Sequence, residues 1–139
     1  MKYVYTYEYQ LEPYFSDIDS YGIAHHSKFF IWLENARFSL LQEISQDDTE
    51  WCRNIRFPVT YLDCKYIDTI KFGDKCNIKT KMVFDTETVK LKFQFRIYKN
   101  NNRLCAKAST EHIMLDNNDQ IIHSIDKRII ERMKVYDEI

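Results

Sequence analysis

The stretch from Ser27 to about Ser45 constrains this chain more than any other. It holds neither proline nor glycine, and apolar side chains recur at Phe29, Trp32, Leu33, Ala36, Leu40, Leu41 and Ile44, the spacing of one helix face. Phe30 and Ile31 widen that face beyond the stripe of a surface helix, so much of the first two turns is expected to be buried. A helix this apolar needs other structure wrapped around it.

The flanking sequence offers strands for that purpose. Tyr3, Tyr5, Tyr7 and Tyr9 alternate through residues 3–11, and Phe93, Phe95 and Ile97 alternate likewise, both patterns of half-buried strands. Further strands are expected over 60–70, 76–84, 88–98 and 104–115. Asp85-Thr86, Lys99 to Asn102 and Asp116 to Asp119 read as turns where those patterns break. Strands joined by short turns make an antiparallel sheet, and one long early helix followed by consecutive strands predicts an α+β domain with the sheet wrapped round the helix. A helical turn is expected over 47–53, and a terminal helix over 124–136 capped by Ser124 or Asp126.

Immediately before the long helix, Asp17-Ile18-Asp19-Ser20-Tyr21-Gly22-Ile23-Ala24-His25-His26 brings two carboxylates and the chain's first glycine into one loop. A helix N-terminus carries unpaired N–H groups and a partial positive charge, which suits it to hold a carbonyl oxygen as that oxygen becomes negative. Asp19, across a turn at Gly22, can fold back toward the same point. A carboxylate beside an N–H donor is a hydrolytic pair.

These residues resemble the 4-hydroxybenzoyl-CoA thioesterase-like, YbgC-type group of hotdog-fold acyl-CoA thioesterases. The pattern D-x-D-x-x-G-x-x-x-H followed by E-x-A-R is met in register by Asp17, Asp19, Gly22, His26, Glu34, Ala36 and Arg37. Phe57-Pro58-Val59, Asp63-Cys64-Lys65-Tyr66 and Phe72-Gly73-Asp74 look like the group's long strand and the turn that ends it. The resemblance implies a hotdog fold, a long central helix wrapped by an antiparallel sheet of five or six strands. It further implies hydrolysis of an acyl thioester, with Asp19 as nucleophile or general base and the backbone N–H of His26 polarising the carbonyl. Asp17, Gly22, Glu34 and Arg37 take supporting roles. His25 stands where an aromatic residue is common, a departure that bears on substrate preference more than on chemistry. The implied substrate is an acyl-CoA or acyl-carrier-protein thioester, no cofactor beyond the substrate's coenzyme A is implied, and the implied assembly is a homodimer or homotetramer with the site between subunits.

Composition is consistent with that reading. At 139 residues the chain is expected to form a single domain over 1–139, too short for two domains with a cleft between them. A formal net charge of −1, with 20 basic and 21 acidic side chains intermixed, gives no global field toward nucleic acid or an anionic membrane. No segment approaches the ~18 apolar residues of a membrane span, and a cytoplasmic location is expected. Cys52, Cys64, Cys76 and Cys105 show no C-x-x-C pair, which argues against a zinc site and for reduced thiols.

Plainer roles stand beside these. A D-x-D in a loop is often turn and cap chemistry, because Asp bonds its own backbone easily, and Asp17 is read as mainly structural. The same pair could ligate a divalent metal, yet the further acidic or histidine partners are not grouped nearby, so no metal is expected. His25 or His26 could simply start the helix, or His26 could orient Asp19 or the carbonyl. Glu34 and Arg37 form an i, i+3 pair that could bridge on the helix surface. Tyr61 and Tyr66 are read as core or interface, and His112 and His123 as structural. Among other functions, a non-catalytic acyl-CoA-binding or regulatory module comes next. A hydratase or dehydratase stands third, since its His-and-acid motif is not found on the helix segment.

Overall fold

A computed structural model describes residues 1–46 and 49–136. Strand β1 (Lys2–Leu11) leads through a short 3-10 turn (Phe15–Asp17) to helix α1 (His26–Ser45), then to helix α2 (Thr49–Asn54). Strands β2 (Val59–Tyr66), β3 (Cys76–Asp85), β4 (Leu91–Lys99) and β5 (Arg103–His112) follow, then helix α3 (Lys127–Glu131) and strand β6 (Lys134–Val135). The strands form one antiparallel sheet in the order β2-β5-β4-β3-β1-β6, curled round α1 as the apolarity of that helix requires.

The apolar positions of α1 are the reason the sheet closes on it. Phe29, Trp32, Leu33, Ala36, Leu40, Leu41 and Ile44 are all buried, and burial of each large side chain is worth about 2 kcal/mol of transfer free energy. They meet Ile78, Met82 and Phe84 of β3, Leu91, Phe93, Phe95 and Ile97 of β4, and Cys105, Ala106 and Ala108 of β5 in one core. The helix ends where Ser45 turns its hydroxyl back to donate to the Leu41 carbonyl at 2.6 Å and Gln46 adopts a positive φ of 49°.

Register sorts the side chains into two faces, because residues paired across antiparallel strands point the same way. Tyr7, Thr80, Phe95, Ala108 and Cys64 form one cross-strand row toward the helix. Glu8, Lys79, Arg96, Lys107 and Lys65 form the neighbouring row on the outer face. Strand β2, at the sheet edge, differs from its neighbours: every residue except the half-buried Cys64 is exposed.

Four expected boundaries shift by more than one residue. The strand expected over 104–115 ends at His112, and Leu115 beyond it makes only isolated bridges to Arg56 and Ile121. The strand expected over 60–70 ends at Tyr66, because the Ile67 and Asp68 N–H groups both donate to the Cys105 carbonyl, at 2.7 and 3.0 Å, which stops the ladder. The strand expected from 88 starts at Leu91, since Val89 holds a positive φ of 59° that no strand accommodates. The expected terminal helix covers only Lys127–Glu131, capped by Asp126 with a 2.8 Å bond from Arg128 N–H. Lys134 and Val135 leave it to pair with Val4 and Tyr3 on the open edge of β1. The turn expected over 47–53 is α2, with residues 47 and 48 outside the described residues. All four cysteines are free thiols. No helix among the described residues is long and apolar enough to cross a membrane.

Candidate active site

The loop between β1 and α1 is built by its two aspartates. The Asp17 carboxylate is buried, accepts the Tyr14 N–H at 2.8 Å and lies 3.9 Å from the Lys28 ammonium. Its backbone carbonyl accepts the His25 N–H at 2.9 Å. Asp17 therefore ties the loop to the start of the helix. Asp19 is half-buried, and its Oδ1 accepts the Tyr21 N–H at 2.8 Å, an Asx turn. The Gly22 N–H donates to the Asp19 carbonyl at 3.0 Å, and the Asp19 N–H donates to the Ile23 carbonyl at 2.9 Å. That tight return needs a φ of +80° at Gly22. A Cβ there would meet nothing within 4 Å, so conformation and not space demands glycine.

The second oxygen of the Asp19 carboxylate has no hydrogen-bond or ionic partner among the described residues. The helix N-terminus stands close by. His25 is the N-cap, its Nδ1 accepting the Ser27 N–H at 3.2 Å, so its ring is taken up in starting the helix. The His26 N–H occupies the first helical position, where α-helices leave the donor without an intrahelical carbonyl. No other acceptor meets it among the described residues, and the first turn carries no acidic side chain to offset the helix dipole. The His26 imidazole is exposed, its centroid 4.1 Å from that of His25, and it makes no hydrogen bond to Asp19.

Asp19 and His26 line one cleft of about 420 Å³. Phe29, Ile23 and Ala24 add apolar wall on the helix side, and Tyr66 with residues 67–70 closes the other side. Tyr66, read from sequence as core or interface, is part of this cleft. Its hydroxyl donates to the His26 carbonyl at 3.0 Å, and its ring packs edge-on to Phe29 with centroids 4.9 Å apart. Burial, with smaller contributions from Cys64, pushes its phenol up to about 12, so the group stays a donor at neutral pH. The sequence signal for this role was its place in the Asp63-Cys64-Lys65-Tyr66 segment that resembles the long strand of the family.

The far wall is held by ions. Asp68 pairs with Arg103 and lies 3.8 Å from the Lys99 ammonium, which is also 4.0 Å from Asp74 and donates to the Thr69 carbonyl. The Thr69 N–H, opposed by partial desolvation and helped by Arg103 and Lys99, holds the Asp68 carboxyl below the usual range. The Ala24 N–H donates to the Ile70 carbonyl at 2.7 Å, which fixes this wall against the loop that carries Asp19.

Glu34 and Arg37 lie farther along α1 and do not line the cleft. They sit 3.8 Å apart, Glu34 exposed and Arg37 buried. Burial lowers the Arg37 guanidinium's pKa, against the pull of Glu34. His112 is buried beyond it, with one ring nitrogen 2.9 Å from the Phe57 carbonyl and the other 2.8 Å from the Thr110 hydroxyl.

A long helix wrapped by a six-stranded antiparallel sheet, with a carboxylate and a helix N-terminus sharing one cleft, defines a hotdog-fold enzyme of the thioester-hydrolase class. The Thioesterase-like superfamily model matches residues 14–133, and the chain belongs to that family. YneP of Bacillus subtilis (strain 168), provisionally named an acyl-CoA thioesterase, is 24% identical over 109 residues, 77% of this chain and 78% of that protein. A variant of 4-hydroxybenzoyl-CoA thioesterase, solved with 4-hydroxybenzoyl-CoA, superposes with a TM-score of 0.77 at 15% identity, covering 91% of this chain and 97% of that one. A DHNA-CoA thioesterase from Staphylococcus aureus gives 0.72 at 22% identity, covering 84% and 79%.

Proposed function

We propose that this protein hydrolyses acyl-CoA thioesters to free acid and coenzyme A through Asp19. The observation that carries the reading is the free Asp19 oxygen in the same cleft as the unpaired His26 N–H at the head of α1. The thioester oxygen sits on that N–H, and as the carbonyl becomes tetrahedral its charge falls on a donor already oriented by the helix. One such donor is worth about 3 kcal/mol of transition-state stabilisation.

Asp19 then acts in one of two ways. As a nucleophile its carboxylate bonds to the carbonyl carbon, coenzyme A leaves as thiolate, and water cleaves the resulting anhydride. As a general base it takes a proton from water, whose oxygen attacks while the C–S bond breaks. Thiolate is a good leaving group, so neither route asks for a metal or a strong general acid. Tyr66 holds the His26 carbonyl and thereby steadies the N–H on the same residue.

The exposure of β2 supports a homodimer as the working form. Val59, Tyr61, Leu62 and Tyr66 are exposed on this edge strand, as are Ile31 and Phe38 of α1, and an open apolar edge is a template for pairing. Antiparallel self-pairing of β2 about a two-fold axis brings the Val59 end of one strand to the Tyr66 end of its partner. The cleft mouth then lies at the subunit boundary.

The test is thiol release from a panel of short, long and aromatic acyl-CoAs, with sedimentation of the same sample. Hydrolysis of at least one member by a dimeric species supports the reading. Saturable acyl-CoA binding without thiol release replaces it with a binding module.

A further inference from the structure

The outer face of the sheet, opposite α1, carries a concentration of charge that the thioesterase chemistry does not use. Lys65, Lys79, Lys81, Lys92, Arg96 and Lys107 line a groove of about 850 Å³ there. The only carboxylates lining it with them are Glu8 and Asp63, and Asp63 is engaged by the Ser109 hydroxyl at 2.7 Å. None of the six cations has a carboxylate within ion-pair reach among the described residues. Elsewhere Lys28, Arg37, Arg56, Lys99, Arg103 and Arg128 are each so paired. A chain of net charge −1 thus gathers six cations without ion-pair partners on one face.

We propose that this face docks an acidic protein helix lying across the strands. Lys79, Arg96, Lys107 and Lys65 stand in register on β3, β4, β5 and β2, so consecutive cations are separated by the strand spacing of about 4.8 Å. Side chains three and four apart on a helix lie ~5–6 Å from one another. A helix of about three turns, roughly 16 Å long, therefore presents one carboxylate to each strand across the row. Five of the six cations are lysines, flexible point charges that tolerate the remaining mismatch in spacing.

Other occupants fit the face less well. Single-stranded nucleic acid asks for free aromatic faces. Here Phe95 is buried, Tyr7 packs on the core, and the Tyr98 ring is covered by the Lys79 ammonium 5.1 Å from its centroid. Among the described residues none of the exposed large apolar side chains lines the groove, so a bilayer finds no anchor. A second copy of the same face brings like charges together. The row ends at Lys65, next in the chain to Tyr66, so one end of a docked helix lies close to the cleft wall.

The probe is a synthetic 15-residue helical peptide with Glu at i, i+4, i+7 and i+11 positions, one for each strand of the row. It is compared by fluorescence anisotropy with a peptide of equal composition whose glutamates are spread round the helix, and with duplex DNA of equal charge. The protein is the full chain, wild type and the double variant Arg96→Glu/Lys107→Glu, with its folding checked by thermal melting. Lys81→Glu/Lys92→Glu serves if that variant fails to fold. The expected result is binding of the one-faced peptide at low salt, at least tenfold tighter than either comparator and weakened at least tenfold by charge reversal. Equal binding of the two peptides, tighter binding of the duplex, no binding, or binding indifferent to reversal overturns the proposal.

Discussion

His112 makes the folded state sensitive to mild acid. It is 1% exposed, and both ring nitrogens are satisfied in the neutral form. One nitrogen donates to the Phe57 carbonyl and the other accepts from the Thr110 hydroxyl. Burial pulls its pKa down from 6.5 to about 4, the Phe57 carbonyl pulling the other way and Arg37 adding to the depression. The unfolded chain therefore binds this proton more readily than the folded one, and stability is lost as pH falls from about 6.5 toward 4. Linkage gives a loss of about 2 kcal/mol by pH 5 and about 3 kcal/mol by pH 4 relative to pH 7.5. The assay is urea unfolding at half-unit steps from pH 7.5 to 4.5, on wild type and on His112→Gln, which keeps a donor and an acceptor but does not titrate. The variant curve should be flatter by about 2 kcal/mol between pH 7.5 and 5, and the wild-type imidazole nitrogens should remain neutral by NMR down to pH 5. Equal slopes in the two proteins, or an imidazole that titrates near 6.5, would refute the reasoning.

Other perturbations follow from the loop and the caps. Gly22→Ala forces a side chain onto φ +80° and should cost about 1–2 kcal/mol, read as a lowered Tm, with kcat falling as Asp19 is displaced; an unchanged melt would show that the turn does not need this conformation. Tyr66→Phe removes the bond to the His26 carbonyl and should cost about 1 kcal/mol in stability or in kcat/KM, while retention of both would deny it a positioning role. Asp126→Ala removes the cap on α3 and should lower stability by about 1 kcal/mol without touching turnover, which equilibrium unfolding beside a rate assay would check.

Much of the architecture was legible because periodicity reports burial. The α1 pattern from Phe29 to Ile44 demanded a covering structure, the strand alternation supplied it as a sheet, and the turns at Asp85 and Asn100 marked its hairpins. What escaped depended on non-local bonds. The end of β2 is set by the Cys105 carbonyl, thirty-odd residues away in sequence, and the helix after Asp126 gives way to β6, which pairs with the open edge of β1. At the site, the loop composition signalled Asp19 and the helix head. It did not signal Tyr66 in the cleft wall, because an aromatic residue on a strand looks the same whether it meets core, partner or substrate. Nor could it show that the His26 ring packs 4.1 Å from that of His25 and makes no hydrogen bond to Asp19.

The central claim is that the Asp19 carboxylate performs the chemistry at the head of α1. It is tested most directly by comparing kcat for the best acyl-CoA between wild type and Asp19→Asn, with acyl-CoA affinity and fold measured on both. The account predicts a folded variant that still binds acyl-CoA and hydrolyses it at least ~100-fold more slowly, the scale set by loss of a catalytic acid-base group. A folded variant with wild-type kcat would contradict it.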